Sequence, residues 1–130
     1  MSIEVGMKGR AEDVVRAENT AQALGSGTLP VFATPAMTAL MEKAAWTSLV
    51  PCLACGEGSV GTMLNVTHSS ATPVGLKVWA ESEVTAVEGR KITFRVAAYD
   101  ERGPIGQGVH ERFLITDDRF LAKTQKKLEE

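Results

Sequence analysis

"TPAMTALMEKAAWTSLVP", residues 34–51, decides the architecture. Met37, Leu40, Met41, Ala44 and Ser48 recur at intervals of three or four, the spacing that lays one face of a helix against a core. Thr34 reads as the N-cap, and Pro35 suits the first helical position, where a missing N–H costs nothing. Pro51 and the glycines of "CGEGS" stop the helix. Beyond them the period changes to two. Val60, Thr62, Leu64, Val66 and His68 alternate along one strand, and Leu76, Val78, Ala80, Ser82 and Val84 along the next. The turn "VEGR" leads into Ile92, Phe94, Val96 and Ala98, and "DERGP" into Ile105, Gln107, Val109, Glu111, Phe113 and Ile115. Short alternating strands joined by tight glycine turns predict an antiparallel meander.

Working outward, residues 11–23 carry a weak alternation that suits an edge strand, with Val15, Ala17, Asn19, Ala21 and Ala23 on one side. "LGSGTLP" is a flexible link to the helix. The tail "DDRFLAKTQKKLEE" offers Asp caps and then a basic helical stretch. A sheet with an apolar face needs cover, and the helix of residues 34–50 is the one apolar helix available. The expected fold is α+β, a hot-dog fold in which an antiparallel sheet curls around one long central helix. That helix covers only part of the sheet and leaves edge strands open, so a homodimer is expected, with pairing into a tetramer open.

Composition narrows the function. A chain of 130 residues is expected to be one domain spanning 1–130, able to bury about two thirds of its unfolded surface. Fourteen basic and sixteen acidic residues give a net charge of −2, which argues against nucleic acid as a partner. No apolar run nears the roughly 20 residues that cross a bilayer, so no membrane partner is expected. "MSIEVGMKGR" lacks the apolar segment of a secretory leader, and a cytoplasmic location is expected. Cys52 and Cys55 form a C-x-x-C, but no second Cys or His pair stands at zinc-site spacing. A redox dithiol would open a helix after a strand, whereas this pair follows a helix. Both cysteines read as reduced thiols, and no metal or redox cofactor is expected.

Three positions invite chemistry. Thr34, Thr38 and Glu42 fall on one line of the helix, and Glu42 borders its apolar stripe, either as a solvated flank or as a partly buried base. His68 ends an inward-facing row, either as a satisfied core residue or as an acid–base group. Thr67, Ser69, Ser70 and Thr72 surround it with hydroxyls, and irregular polar strand ends are where ligand sites tend to sit. Gly56, Gly58 and Gly61 crowd the start of the same strand, as a plain loop and bulge or as room for a ligand carbonyl beside a backbone N–H. Arg112 is a phosphate contact or a sheet-surface charge.

Taken together, "VFATPAMTALME", "GEGSVGTMLNVTHSSATPVG", "VEGR" and "GQGVHER" resemble the fluoroacetyl-CoA thioesterase-like branch of the hot-dog thioesterases, in order and with similar gaps from about residue 18 onward. The resemblance implies hydrolysis of an acyl-CoA by Thr34, Glu42 and His68. It also implies substrate contacts from Gly61, at the thioester carbonyl, and from Arg112. Members specialised for fluoroacetyl-CoA carry bulky aromatics ahead of the helix, as part of an apolar lid. Here "ALGSGTLP" has none before Phe32, which is taken as a further substrate contact, and fluoroacetyl-CoA is not assigned.

The expectation is a homodimeric thioesterase acting on a short or small acyl-CoA, with CoA present only as part of the substrate. Water or Thr34 attacks, His68 serves as base and then acid, Glu42 assists it, and the Gly61 N–H steadies the oxyanion. The alternatives are a hot-dog hydratase or dehydratase of enoyl or hydroxyacyl thioesters, and a module that binds acyl-CoA without turnover. Eight residues of straight helix span about 12 Å. Thr34 and Glu42 therefore cannot bond directly: either Thr34 lies in the loop and folds back, or it acts from a second protomer, or His68 lies between them.

Overall fold

The computed structural model describes residues 2–129. The expected helix is α2, Thr34–Leu49, and it buries Met37, Leu40, Met41, Ala44, Ala45 and Leu49. Around it curls a five-stranded antiparallel sheet: β1 (Lys8–Val14), β2 (Glu57–His68), β3 (Lys77–Glu88), β4 (Lys91–Asp100) and β5 (Gly103–Thr116). The strand order is β1-β3-β4-β5-β2, which leaves β1 and β2 on the edges. The helix stripe packs on Ala11, Val78, Ala80, Val84, Ile92, Phe94, Val96, Ala98 and Ile105. Each large side chain sealed there contributes about 1.5–3 kcal/mol, so the helix is fixed by its packing and is a firm base for side chains on its rim.

β3 and β4 follow the expected alternation, with one extra residue in β3, Thr85, just past Val84. Val78, Ala80, Ser82 and Val84 are buried along β3, and Ile92, Phe94, Val96 and Ala98 along β4. Gly89, at φ +64°, makes the tight turn between them.

β2 and β5 do not keep the expected phase. In β2 the register against β5 slips between Gly61 and Met63, so Thr62 is an extra residue. Gly61 thereby joins Leu64, Val66 and His68 on the helix side, while Val60 pairs with Phe113 and faces outward. In β5 a slip opposite Ala98 and Tyr99 leaves Ile105 and Gly106 buried side by side. From that point Gly108, His110 and Arg112 face the helix, and the expected inward set of Gln107, Val109, Glu111 and Phe113 is displaced outward.

The expected edge strand over residues 11–23 is corrected as well. The strand ends at Val14, and Ala17–Asn19 and α1 (Ala21–Leu24) follow as helical turns. Local side-chain bonds account for this. The Asn19 carboxamide accepts from the Arg16 N–H at 2.9 Å and donates to the Val14 carbonyl at 3.0 Å, and the Thr20 hydroxyl caps Ala23 N at 3.2 Å. Two cap assignments also change. Ala33, not Thr34, is the N-cap of α2. At the C-terminal helix α3 (Asp117–Gln125), Asp117 and Asp118 sit inside the first turn, where they favour the helix dipole without capping it. Among the described residues no helix is long and apolar enough to cross a membrane.

Candidate active site

Because Ala33 takes the cap position, the hydroxyl of Thr34 is free for another partner. It lies 2.8 Å from His68 Nδ1, across from the last residue of β2. Burial lowers the pKa of His68 from its ordinary 6.5, against a smaller opposing effect of the Ser70 backbone. The imidazole is therefore neutral near pH 7, and in the tautomer with the proton on Nε2 its Nδ1 accepts from the Thr34 hydroxyl. That Nε2 is buried and has no hydrogen-bond partner in the chain.

The hydroxyls around His68 hold the strand end in place. Ser69 Oγ and the Ser69 N–H both donate to the Ile105 carbonyl, at 3.2 and 2.7 Å. Thr72 Oγ1 donates to the buried Asp100 at 2.7 Å, and the Thr72 carbonyl accepts from Phe32 N at 2.9 Å. This chain of bonds runs from the strand end to the residues just ahead of Thr34 and sets both members of the pair. Phe32 itself is 2% exposed, so its ring belongs to the core and is not presented to a ligand in the single chain.

Glu42 stands two turns further along α2, where it meets a different group of residues. Arg112 Nη1 donates to Glu42 Oε2 at 3.1 Å. The guanidinium is buried and oriented by three other bonds: Nε to Ser59 Oγ at 2.9 Å, Nη2 to the Ser59 carbonyl at 3.0 Å, and Nη1 to His110 Nε2 at 3.2 Å. Gly61 lies beneath this cluster. A Cβ there would overlap Glu42 Oε2 and come within 3.2 Å of His110 Cε1 and 3.3 Å of Arg112 Nη1. The carboxylate can lie over the strand only because position 61 has no side chain.

The chain thus joins Thr34 to His68, and Glu42 to Gly61 and Arg112, but it does not join the two groups to each other. The separation along the helix, about 12 Å, stands as expected. His110 was missed, although its signal was present: in "GQGVHER" Gly106, Gly108, His110 and Arg112 fall at period two, the residues that the bulge turns inward. Cys52 lies in the short turn after α2 and Cys55 is exposed beyond it, both as free thiols. Among the described residues no three His, Cys, Asp or Glu side chains gather as a metal site would require.

A family profile described as fluoroacetyl-CoA-specific thioesterase matches residues 15–118. The chain belongs to this family. A curated fluoroacetyl-CoA thioesterase from Streptantibioticus cattleyicolor is 47% identical over 97 residues, spanning 75% of this chain and 70% of that protein. A solved structure of the fluoroacetyl-CoA thioesterase FlK superposes with a TM-score of 0.92 at 40% identity, covering 98% of both chains. A hot-dog-like protein from Thermanaerovibrio acidaminovorans shares the fold, with a TM-score of 0.85 at 24% identity over 95% of this chain and 91% of that one. The hot-dog fold expected from the residues and the thioester-hydrolase class implied by the resemblance are the fold and class of this family member. Its cavities of about 570 and 430 Å³ lie on the outer face of the sheet, and neither is lined by Thr34, Glu42 or His68.

Proposed function

We propose that this thioesterase hydrolyses a short acyl-CoA to the free acid and CoA at a site that two protomers complete together. The observation that carries the reading is the bond of 2.8 Å between the Thr34 hydroxyl and a neutral His68, the arrangement of a nucleophile and its base. Thr34 Oγ attacks the thioester carbonyl as its proton passes to His68 Nδ1. The oxyanion forms beside the Gly61 N–H of the second protomer. Collapse breaks the C–S bond, and the departing thiolate takes the proton from His68. Water then attacks the acyl-threonine with His68 again as base, releasing the acid and restoring Thr34.

Glu42 has a part in this only if it reaches a His68 other than its own. Symmetry supplies one. β2 is an edge strand, and Leu64, on its helix-facing side, is 37% exposed. An antiparallel pairing of two β2 strands, centred on Asn65 with Thr62 left as the bulge, would set His68 of one protomer near Gly61 of the other. The unpartnered His68 Nε2–H would then face the second Glu42. The same pairing covers Leu64 and closes the open edge.

The acyl group is small because Gly61 is crowded by Glu42, His110 and Arg112. Fluoroacetyl-CoA belongs on the substrate panel, since the curated relative is named for it. The stretch ahead of α2 gives it no specific support: residues 23–30 are exposed and carry no aromatic ring. CoA enters as substrate, and no metal or redox cofactor takes part. The cytoplasm is the place we assign, without a nucleic-acid or membrane partner.

Thiol release from acyl-CoAs of graded length, fluoroacetyl-CoA included, tests this reading. His68→Ala is expected to lower the rate by about 10²–10⁴-fold while melting stays cooperative. Thr34→Ser should keep part of the activity and Thr34→Ala should lose most of it. Tight acyl-CoA binding without thiol release would instead make the protein a binding module. Loss of enoyl absorbance without thiol release would make it a hydratase.

A further inference from the structure

His110 is fully buried, yet the reaction proposed above gives it nothing to do. Its ring stacks on Phe94, with centroids 5.8 Å apart and planes 25° from parallel. Nδ1 lies 2.8 Å from the Met63 carbonyl, an acceptor only, so Nδ1 carries the proton and donates it. Nε2 is left as a lone-pair acceptor, and Arg112 Nη1 donates to it at 3.2 Å. The Met63 carbonyl therefore fixes the tautomer, and the tautomer fixes which way the guanidinium turns.

The consequence reaches Glu42. Arg112 Nη1 has two hydrogens, one directed at His110 Nε2 and the other at Glu42 Oε2. Ser59 holds the opposite side of the guanidinium through Nε and Nη2. If the acceptor at residue 110 is removed, one Nη1 hydrogen is left buried without a partner, and the guanidinium gains by rotating to find one. Any such rotation carries the Glu42 carboxylate with it. His110 Nε2 is itself 3.9 Å from Glu42 Oε2, too far to hold the carboxylate directly, so its effect must pass through Arg112.

We propose that His110 is a positioning residue for thioester hydrolysis: its neutral Nε2 locks the Arg112 guanidinium, and through it the Glu42 carboxylate, over Gly61. This rests on the assignment of Glu42 to the reaction. It adds a second residue of β5, next to Arg112, to a site otherwise built on α2 and β2.

Two substitutions separate the bonds of the ring. Asparagine can reproduce the donor at Nδ1 but places nothing at Nε2, and glutamine can place its carbonyl oxygen where Nε2 was. His110→Asn, His110→Gln, Glu42→Gln and the double variant Glu42→Gln/His110→Asn are assayed by thiol release from acetyl-CoA, with melting followed on the same samples. His110→Asn is expected to lower kcat by about 10–10²-fold, the size of effect that follows an ångström-scale misplacement, with KM little changed. His110→Gln should recover most of that loss. In the Glu42→Gln background His110→Asn should add little, because both act on one carboxylate. A merely structural His110 gives the other pattern: both variants melt lower, each folded molecule turns over normally, and asparagine is no worse than glutamine. If Glu42→Gln is impaired and His110→Asn multiplies with it, the proposal for His110 fails alone. If Glu42→Gln turns over at the wild-type rate, the assignment of Glu42 fails and takes the proposal with it.

Discussion

Gly61→Ala adds a single methyl group at the point where strand, carboxylate and guanidinium converge. The new Cβ would overlap Glu42 Oε2 and stand 3.2 Å from His110 Cε1 and 3.3 Å from Arg112 Nη1. The ring and the guanidinium are buried and bonded on several sides, so neither yields. The carboxylate moves instead, by about 1 Å, a misplacement that can cost on the order of 10²-fold in rate. In moving, it stretches or breaks the bond of 3.1 Å from Arg112. A hydrogen bond to a charged group contributes about 1.5–3 kcal/mol, and the partial exposure of Glu42 puts the expected loss of stability at the low end of that range. Thiol release from acetyl-CoA, normalised to folded protein by melting, reads both effects. Gly61→Ala should fold, melt slightly lower, and lose most of its turnover. A variant with wild-type kcat would show that Glu42 need not lie over Gly61 for hydrolysis, and the placement of the carboxylate would lose its catalytic meaning.

Sedimentation at micromolar concentration should find at least a dimer, and a stable monomer of 13.9 kDa would remove the shared site. Charged residues at Leu64, beside the centre of the proposed pairing, should weaken the dimer and lower turnover together. Replacing Cys52 and Cys55 with serine should leave thiol release nearly unchanged, and a large loss or a stoichiometric bound zinc would give the C-x-x-C a function. The acid limb of the rate profile should have its midpoint below 6.5, because burial lowers the pKa of His68 and the active form is neutral. Burial also lowers the pKa of His110, so the unfolded chain takes up protons first and stability should fall as pH drops below about 6.5. His110→Gln should make that fall shallower, and an unchanged slope would mean the histidine titrates alike in both states.

The core was legible wherever side-chain pattern alone decides burial. α2 declared itself through Met37, Leu40, Met41 and Ala44, and β3 and β4 through a period of two that holds from Val78 to Val84 and from Ile92 to Ala98. Residues 11–23 were misread because their alternation was weak, and two polar side chains overruled it. Once Asn19 and Thr20 bond to the nearby backbone, a helical turn is cheaper than an extended strand. That competition depends on where the hydroxyl and carboxamide point, which a pattern of apolar letters does not record.

The site was legible in its residues but not in its grouping, and the cause is the pair of bulges. One extra residue reverses every side chain beyond it, and both strands that flank the site carry one. In β2 the slip at Thr62 turns Gly61 under Glu42, and in β5 the slip at Ile105 brings His110 and Arg112 in beside it. Unbroken alternation would have placed Val109 and Glu111 there instead, with an apolar residue and a second carboxylate against Glu42 and no cation to hold it. The glycines of "GQGVHER" serve the same end. A Cβ at Gly106 would collide with Met37, so the strand can approach α2 closely enough for Arg112 to reach the helix's carboxylate. Two of the three slips in the sheet therefore fall on the strands that must hold charged groups against an apolar helix. The third, at Thr85 of β3, comes just past Val84, the last buried residue of that strand. The strands that only build the core keep to the pattern around the helix stripe.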